Sequence, residues 1–407
     1  MCGMSHATLS TSAELFSPSG RTDPHPLYER MRASEPVCRI QLPDGRRFWL
    51  VTRYEDVAAA LVDVRLSKDA RNQSPDGHFA YLLGDGGAFG RHMLTVDPPD
   101  HTRLRALVRK AFSPRLVERL RPRIQHIAND LLDAVVDRGG MDLIADYAFP
   151  LPIIVITELL GVPPADRDRF RAWSNVMFTN DFTGSREAGR RAREEFAAYL
   201  HALCELKRAQ PGNDLVSGLV QAEESGDVLD EPELLAMIFL LLIAGHETTT
   251  NLIGNGMLAL LQHPDQLALL RENPAMIGTA VEELLRYDSP VETSTWRFAL
   301  EDLELGGQPI AKGDAVLVAI SSANRDETSF TGADQLDITR GDTKHLAFGR
   351  GIHFCVGAPL ARIEGQIAIA TLLRRLPRLR LAVGVEDLAW RASLLLRGLQ
   401  ALPAEFS

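Results

Sequence analysis

Hydrophobic and polar residues recur with helical spacing along most of this 407-residue chain, and strand-like alternation is confined to short segments. The longest apolar stretch, Leu234 to about Leu261, is apolar on nearly every side, which predicts a helix buried in the core. Asp230-Glu231-Pro232-Glu233 precedes it with a cap residue, an early proline and a third-position glutamate, a typical helix start. The pattern predicts a mainly α-helical protein built around one long central helix.

The remaining elements are shorter. Amphipathic spacing predicts further helices up to Ser34 and at 54–63, 100–112, 115–137, 152–160, 166–178, 186–210, 274–287 and 358–376. Alternation predicts small sheets from strands at 39–42, 48–52, 291–300, 315–321 and 379–383, the first two forming a hairpin around Pro43-Asp44-Gly45. Residues 69–93 and 179–185 are predicted to be loops. Long loops in a compact domain are usually functional or mobile.

Composition and charge narrow the class of protein. The chain is 45% hydrophobic and 24% charged, and its net charge of −10 argues against non-specific nucleic-acid binding. No linker or internal repeat divides it, so we expect one domain over residues 21–407 after a flexible N-terminus at 1–20. The N-terminus lacks a basic start followed by an apolar run, which predicts no signal peptide and no membrane anchor. Four scattered cysteines favour a reducing, cytoplasmic location.

The strongest chemical signal is the segment 348–357, Phe-Gly-Arg-Gly-Ile-His-Phe-Cys-Val-Gly. Glycines at 349, 351 and 357 allow the backbone to fold tightly around one atom. Cys355 lies among them, directly before the predicted helix at 358–376, and a helix N-terminus favours a thiolate. A single thiolate without a partner cysteine suits haem iron held by one protein ligand.

Three other interpretations of this segment are open. His353 and Cys355 could form half of a zinc site, but structural zinc needs four ligands, and Cys2, Cys38 and Cys204 lack the paired spacing. A Cys–His nucleophile pair would need a third group to orient it. The third interpretation is a purely structural glycine-rich loop. The sequence favours haem ligation over all three.

A second polar segment, Ala244-Gly245-His246-Glu247-Thr248, interrupts the apolar central helix. Glycine in the middle of a helix costs about 1 kcal/mol relative to alanine, and small residues there let a flat group approach the backbone. A glutamate and a threonine in a buried helix are costly unless they are used or paired. We therefore favour a functional role for Glu247 and Thr248, whereas a solvent-facing position suits His246.

These segments resemble the cytochrome P450 family. Residues 348–357 match its haem-binding signature F-G-x-G-x-H-x-C-x-G completely, and residues 244–248 match its oxygen-activation motif (A/G)-G-x-(D/E)-T at every position. Glu283-Leu284-Leu285-Arg286 resembles the family's ExxR motif, whose acid and base support the cysteine loop. The family's usual proline after Asp326 is replaced by Glu327. The resemblance extends over residues 20–405 and implies haem b between the central helix and the cysteine loop.

The resemblance also implies roles for individual residues. The cofactor-binding residues would be His101, Arg105, Ala244, Gly245, Arg297, Phe348, Gly349, His353, Cys355 and Gly357, with Cys355 as the metal ligand. Thr248 and Glu247 would be catalytic, and Glu283 and Arg286 structural. The substrate would contact Leu94, Leu240, Ile243, Ala244, Thr293, Thr295 and Leu395. Without the resemblance, His101 and Arg105 would be read as a solvated basic helix face.

The implied activity is that of a haem-thiolate monooxygenase. Such an enzyme inserts one oxygen atom of O2 into a C–H bond, by hydroxylation or epoxidation, of a hydrophobic substrate such as a polyketide, macrolide, terpenoid or similar secondary metabolite. Electrons would come from NAD(P)H through a ferredoxin reductase and a separate ferredoxin, with Arg109, Lys110, Arg350 and Arg362 as candidate contacts or merely solvated charges. The alternatives are a haem-thiolate enzyme for C–C coupling or desaturation, and a non-catalytic haem ligand-binding protein.

Overall fold

The computed structural model describes residues 6–75, 79, 89–109, 112–166, 169, 170, 172, 173, 176, 186–224, 229–342 and 344–406. The side chains of residues 6–10, 186 and 224 are also left out of the description. Four predicted features lie wholly or partly outside these residues: residues 76–78 and 80–88 of the predicted loop at 69–93, the predicted loop at 179–185, much of the predicted helix at 166–178, and Lys110.

Helices make up most of the described chain, which confirms the predicted fold class. The α-helices are His6–Leu15, Pro18–Thr22, His25–Ser34, Tyr54–Ala60, Asp100–Arg109, Pro114–Glu118, Arg121–Asp133, Pro150–Leu160, Arg186–Ala209, Leu215–Glu224, Glu231–Gln262, Pro264–Glu272, Ile277–Tyr287, Ile320–Ala323 and Ala358–Arg375. Single 3-10 turns are Ala70–Asn72, Val136–Arg138, Pro164–Asp166, Pro274–Met276, Gly351–His353 and Val385–Asp387, and Ile144–Ala148 is a π-helical turn.

Three small sheets flank the helices. The five-stranded sheet has the order Val37–Gln41, Arg47–Val51, Ala315–Val318, Arg297–Ala299 and Leu66–Ser67. The others are Gly140–Asp142 with Pro403–Glu405 and Arg380–Leu381, and the hairpin Leu303–Leu305 with Gln308–Ile310. The predicted first hairpin is confirmed, with Val37 opposite Val51 and Gln41 opposite Arg47.

Three strand predictions were too long, and of the predicted strand 379–383 only Arg380–Leu381 is a strand. Of the predicted strand 291–300, only Arg297–Ala299 is a strand, and Val291 and Thr293 make isolated bridges. The backbone of residues 291–296 changes its hydrogen-bond partner along its length. The Glu292 amide donates to the Leu395 carbonyl, and the Ser294 amide donates to the Val318 carbonyl. The predicted strand 315–321 ends at Val318, and a short helix follows. Alternation alone could not reveal these changes of partner.

The central helix, Glu231–Gln262, begins with the predicted capping box. The Asp230 carboxylate accepts a hydrogen bond from the Glu233 amide at 2.8 Å, and the Glu233 carboxylate accepts one from the Asp230 amide at 3.4 Å. Helices Pro150–Leu160, Ile277–Tyr287 and Ala358–Arg375 pack around it. It is the one described helix long and apolar enough to cross a membrane, but 83% of its most apolar window is buried inside the protein. It is therefore a core helix.

The segment expected to be a flexible N-terminus contains two short helices, and the Leu15 side chain is fully buried. Leu15 belongs to a small core cluster with Tyr28 on one side of the five-stranded sheet. Glu327, the residue that replaces the family's proline, forms an ion pair with the buried Arg32 at 2.9 Å. Glu327 therefore links the loop that contains it to the helix His25–Ser34, a contact that a proline at this position could not make.

Candidate active site

The cysteine loop wraps back on itself before the cysteine helix, Ala358–Arg375. The Cys355 amide donates to the Phe348 carbonyl at 2.9 Å, which closes the loop. Gly349 and Gly351 have φ values of +69° and +75°, the left-handed region that glycine reaches without strain. Gly357 does not need that freedom, since its φ is −83°. A Cβ atom at Gly357 would instead lie 3.9 Å from the Cys355 sulfur, so glycine keeps the sulfur's surroundings open.

Cys355 is surrounded by protein, yet its side chain is exposed to an internal cavity. Burial raises the pKa of the Cys355 thiol, while the Gly357 amide, Arg105 and the Ala358 amide act in the opposite direction. The expected influence of the helix N-terminus is present but does not outweigh burial. A metal cation at the sulfur would change this balance, because a coordinating thiol loses its proton.

A cavity of about 280 Å³ lies between the cysteine loop and the central helix. Predicted cofactor residues line both sides of it: Phe348, Gly349, His353, Cys355 and Gly357 from the loop, and Ala244 and Gly245 from the helix. Gly245 has a second role, because a Cβ atom there would lie 2.8 Å from the Ile156 side chain. The glycine thus serves close helix packing as well as access to the cavity.

Five basic side chains converge at one end of the cavity: Lys68, His101, Arg105, Arg297 and His353. Arg105 donates to the Phe354 carbonyl at 2.6 Å, and Arg297 to the Leu61 carbonyl at 3.3 Å. The His101 and His353 rings lie edge to face, 4.4 Å apart between centroids. His101 is 2% exposed, and neither of its ring nitrogens has a hydrogen-bond partner among the described residues. His101 therefore lies behind His353 rather than on the cavity wall.

The electrostatics of this basic cluster favour an anion. Burial, followed by the charges of Lys68, His101, Arg297 and Arg105, lowers the pKa of His353 to about 2. Burial also lowers the pKa of Arg297 to about 10 and that of Lys68 well below its usual value. Buried cations without enough counter-charge are costly. Carboxylates placed among these groups would form charge-assisted hydrogen bonds and relieve that cost.

The polar segment of the central helix faces two ways. Thr248 lines the cavity, and its hydroxyl donates to the Ala244 carbonyl at 2.9 Å. Glu247 is 1% exposed, and one of its carboxylate oxygens accepts from Arg391 at 2.6 Å. Burial would raise the pKa of Glu247, but His246 and Arg391 more than offset this and lower it to about 2. The carboxylate is therefore ionised at neutral pH.

The interpretation of His246 as solvent-facing is wrong. Its side chain is 1% exposed, its Nδ1 lies 2.7 Å from the Leu242 carbonyl oxygen, and its Nε2 lies 3.4 Å from a Glu247 carboxylate oxygen. Phe149 contacts the ring edge to face at 5.5 Å. An apolar helix pattern does not show on which side a single polar residue lies, because neighbouring helices cover this helix all round.

Most predicted substrate-contact residues line the cavity, namely Leu94, Leu240, Ile243, Ala244, Thr295 and Leu395. Thr293 does not. Its side chain is 1% exposed, and its hydroxyl donates to the Leu394 carbonyl at 2.9 Å. The prediction of Thr293 assumed strand alternation with Thr295, but this segment is not a regular strand, and Ser294 lines the cavity beside Thr295. Met93, Val291 and Leu396 add further apolar surface.

The acid–base pair on helix Ile277–Tyr287 is buried away from the cavity. Glu283 and Arg286 form a two-pronged ion pair with distances of 2.7 and 2.8 Å. Arg286 also donates to the carbonyls of Asn324 and Ala333 at 2.9 and 2.7 Å. The Asn324 side chain in turn accepts from the Leu346 amide at 2.7 Å, two residues before Phe348. This chain of contacts supports the structural role expected for the pair.

Three of the four candidate contacts for an electron donor, Arg109, Arg350 and Arg362, lie in the described part of the chain, and their surroundings differ. Arg109 and Arg350 are exposed, whereas Arg362 forms a two-pronged ion pair with Glu282 at 2.7 Å. Arg103, on the same helix as Arg109, pairs with the buried Glu233 at 2.7 Å. The described structure therefore leaves Arg109 and Arg350 as the better candidates. Ile352, 51% exposed, adds apolar surface on the same loop.

Three residues at the site were not found from the sequence: Lys68, Glu364 and Arg391. Lys68 lines the cavity and donates to the Thr295 and Trp296 carbonyls at 2.9 and 3.1 Å. Glu364, on the cysteine helix, also lines the cavity and is 1% exposed. Burial raises its pKa to about 8, partly offset by Thr249. No local sequence motif contains these residues. Each is brought to the site by contacts between segments that are distant in the sequence.

The arrangement suits haem. One sulfur faces a cavity whose opposite wall is built of small residues, and the basic cluster matches a flat group that carries two carboxylates. Among the described residues, no group of three or more His, Cys, Asp or Glu side chains could hold a metal ion, so the zinc interpretation finds no support there. The site thus defines a protein that binds haem through one cysteine.

Comparisons with known proteins agree. Residues 167–379 match the family model of cytochrome P450. Cytochrome P450 107B1 of Saccharopolyspora erythraea is 51% identical over 394 residues, covering 95% of this chain and 96% of the relative. The polyketide biosynthesis cytochrome P450 PksS of Bacillus subtilis is 45% identical, covering 97% and 99%. The crystal structure of myxobacterial cytochrome P450 CYP267B1 in complex with myristic acid matches at a TM-score of 0.92 and 49% identity, covering 97% and 99%.

The chain belongs to the cytochrome P450 family. It is a monooxygenase whose cofactor is haem b, and it uses O2 and a small-molecule substrate. The family assignment agrees with the cysteine loop, the central helix motif and the acid–base pair, all of which the sequence carries in full.

Proposed function

We propose that this protein is a haem-thiolate monooxygenase that inserts one oxygen atom of O2 into a C–H bond of a hydrophobic secondary metabolite. The observation that carries the proposal is the cavity itself, with Cys355 on one wall and Ala244, Gly245 and Thr248 on the other. The haem, when bound, supplies the reductive activation of O2. The protein provides the ligand, the charge balance, the proton path and the shape of the pocket.

Cys355 would hold the iron, and the basic cluster would hold the propionates. Arg105, Arg297 and His353 line the cavity, and His101 backs His353, so these residues would meet the acidic edge of the macrocycle. Lys68 would add a further positive charge at this edge. Phe348, Gly349 and Gly357 shape the loop around the sulfur. Glu283 and Arg286 would act at a distance, by fixing the segment that leads into the loop.

Thr248 and Glu247 would take part in proton transfer at the site. The Thr248 hydroxyl lies on the cavity wall next to the small residues Ala244 and Gly245, where it can donate to or accept from a bound water or substrate oxygen. Glu247 is adjacent in sequence and is buried as a carboxylate. A positioned acid–base group of this kind typically contributes about 10²–10⁴-fold to a proton-dependent step.

The substrate is expected to be largely apolar. Leu94, Leu240, Ile243 and Leu395 line the cavity, and besides Cys355 the described titratable or charged lining residues are Glu247, Glu364, Arg350 and the basic cluster without His101. Burial of apolar substrate area would contribute about 25 cal/mol per Å². The name of the relative PksS places that protein in polyketide biosynthesis, and CYP267B1 was crystallised with myristic acid. We infer a polyketide or macrolide, and a fatty acid, whose carboxylate could pair with Arg350 on the cavity wall, is the second candidate.

Electrons would arrive from NAD(P)H through a ferredoxin reductase and a separate ferredoxin. Arg109 and Arg350 are exposed near the cysteine loop and would attract an acidic partner, although the protein's net charge is −10. We further infer that residues 21–407 form the catalytic domain and that the protein works in the cytoplasm. The burial of the central helix inside the protein supports this inference.

Replacement of Thr248 by alanine tests the proposed chemistry. With NADPH, ferredoxin, its reductase and either myristic acid or a macrolactone that shifts the haem spin state, we expect Thr248→Ala to keep its haem but to release more peroxide for each NADPH consumed. Thr248→Ser keeps the hydroxyl and is the matched control. The measurement is the ratio of oxygenated product to peroxide. A Thr248→Ala variant that remains tightly coupled would contradict the proton role of Thr248.

A further inference from the structure

The central helix carries a stripe of buried polar residues on one face, of which the assigned site uses one. Glu247, Asn251 and Asn255 are spaced four residues apart, so they lie on the same face of the helix. Their side chains are 1%, 2% and 1% exposed. Buried polar groups in the middle of a core helix are costly unless they have partners. The residues that contact these three side chains therefore indicate the structural role of the stripe.

All three residues meet the same element, the C-terminal hairpin formed by residues 389–400. The hairpin is closed by a bridge between Trp390 and Leu399 and by the Arg391 amide, which donates to the Gly398 carbonyl at 2.9 Å. Arg391 donates to Glu247 at 2.6 Å, and Asn255 donates to the Arg397 carbonyl at 3.0 Å. The stripe is thus a docking surface for the hairpin.

The middle contact of the stripe is steric. A Cβ atom added at Gly398 would lie 2.1 Å from the Asn251 side-chain oxygen, so the hairpin backbone rests directly on Asn251. The tip of the hairpin reaches the cavity, where Leu395 and Leu396 are lining residues. One short element therefore contacts both the substrate side of the cavity and the carboxylate of Glu247.

We propose that Arg391 is a positioning residue of the active site: it holds the Glu247 carboxylate in its working position and links it to the hairpin whose tip contacts the substrate. The inference rests on the proposed proton role of Glu247. The side chain of Arg391 is 15% exposed, whereas that of Glu247 is 1% exposed. The guanidinium therefore lies between the buried carboxylate and solvent.

The charges around Glu247 support this role. The titratable or charged groups that face its carboxylate among the described residues are His246, on the same helix, and Arg391, on the hairpin. Without the guanidinium, only His246 would be left to offset burial, and the pKa of Glu247 would rise. The proton transfer in which Glu247 takes part would then have a different pH dependence from that of the native protein.

The test compares Arg391→Gln, Arg391→Lys and Glu247→Gln with the native haem-loaded protein. The probe is the myristic acid or macrolactone used for Thr248, with the same electron supply. We expect Arg391→Gln to lower product formed per NADPH about tenfold. We also expect it to shift the pH profile of that ratio, because loss of the guanidinium raises the pKa of Glu247. Arg391→Lys, which keeps the charge, should restore part of both. Arg380→Gln, which breaks an exposed ion pair with Glu405, is the matched control.

The outcomes separate the two claims. If Glu247→Gln matches the native enzyme, the proposed proton role of Glu247 fails, and this inference fails with it. If Glu247→Gln is uncoupled but Arg391→Gln keeps native coupling and the native pH profile, only the role of Arg391 is overturned. Melting temperature and the spectrum of the reduced protein with carbon monoxide show whether each variant is folded. If Arg391→Gln does not fold, Arg391→Met, which also removes the charge but keeps a long side chain, takes its place, and native coupling with a native pH profile in that variant would overturn the role of Arg391.

Discussion

Two buried glutamates near the cavity, one on each wall, are held in opposite protonation states. Glu247 is ionised, because His246 and Arg391 lower its pKa to about 2 despite burial. Glu364 has no such partners, so burial raises its pKa to about 8. Pairs of carboxyl groups whose environments separate their pKa values are typical of sites that move protons. At the scale of single residues, then, charge partners rather than residue type decide which group carries a proton.

Glu364 should make stability depend on pH. Its pKa is about 8 in the folded protein against about 4.5 when unfolded. Its contribution is therefore complete below about pH 4.5 and is lost as the pH rises to about 8. The loss is on the order of 5 kcal/mol at most. We expect the melting temperature of the native protein to fall more between pH 6 and pH 9 than that of Glu364→Gln. Parallel curves for the two proteins, offset by a constant amount, would show that Glu364 does not titrate in this range.

At the scale of elements, the site is where the cysteine loop, the central helix and the C-terminal hairpin meet. Glycines set the distances between them, because Gly245 lets helix Pro150–Leu160 approach and Gly398 lets the hairpin rest on Asn251. A protein interior is packed closely enough that one added methyl group is felt. The position of Leu395 at the cavity therefore depends on a contact made by Gly398, three residues away.

Replacement of Gly398 by alanine should displace the hairpin. The added Cβ would overlap Asn251, whose short buried side chain has little room to move, and overpacking of this kind costs about 1–3 kcal/mol. We expect a lower melting temperature and weaker binding of the spin-shifting probe, measured by spectral titration. Gly218→Ala is the control, since nothing lies within 4 Å of that position in helix Leu215–Glu224. Native probe affinity in Gly398→Ala would mean that the hairpin does not shape the pocket.

The sequence predicted those parts of the site that depend on local pattern. The central helix, its capping box at Asp230 and the cysteine loop follow from periodicity, cap chemistry and glycine spacing, which are properties of neighbouring residues. The placements of Thr293 and His246 were wrong, because their surroundings come from distant segments. Lys68 and Arg391 were missed for the same reason: each is an ordinary basic residue until the fold brings it to Arg297 or to Glu247.

At the scale of the whole molecule, three separate groups of residues around one cavity are assigned to three different tasks. In the proposed account, the basic cluster would balance charge at one end, the apolar residues of the central helix and hairpin would shape the substrate side, and the exposed Arg109 and Arg350 would contact an electron donor. The buried pair of Glu283 and Arg286 holds the segment before the cysteine loop through Asn324. All three tasks presume that one sulfur atom binds the iron.

The most direct test of that claim is the absorption spectrum of the dithionite-reduced protein with carbon monoxide. We expect a strongly red-shifted Soret band, which the native protein shows and Cys355→His lacks, because only a cysteine thiolate opposite the carbon monoxide produces that shift. A band like that of a histidine-ligated globin in the native protein would mean that Cys355 does not bind the iron as a thiolate. The monooxygenase account of this site would then be contradicted.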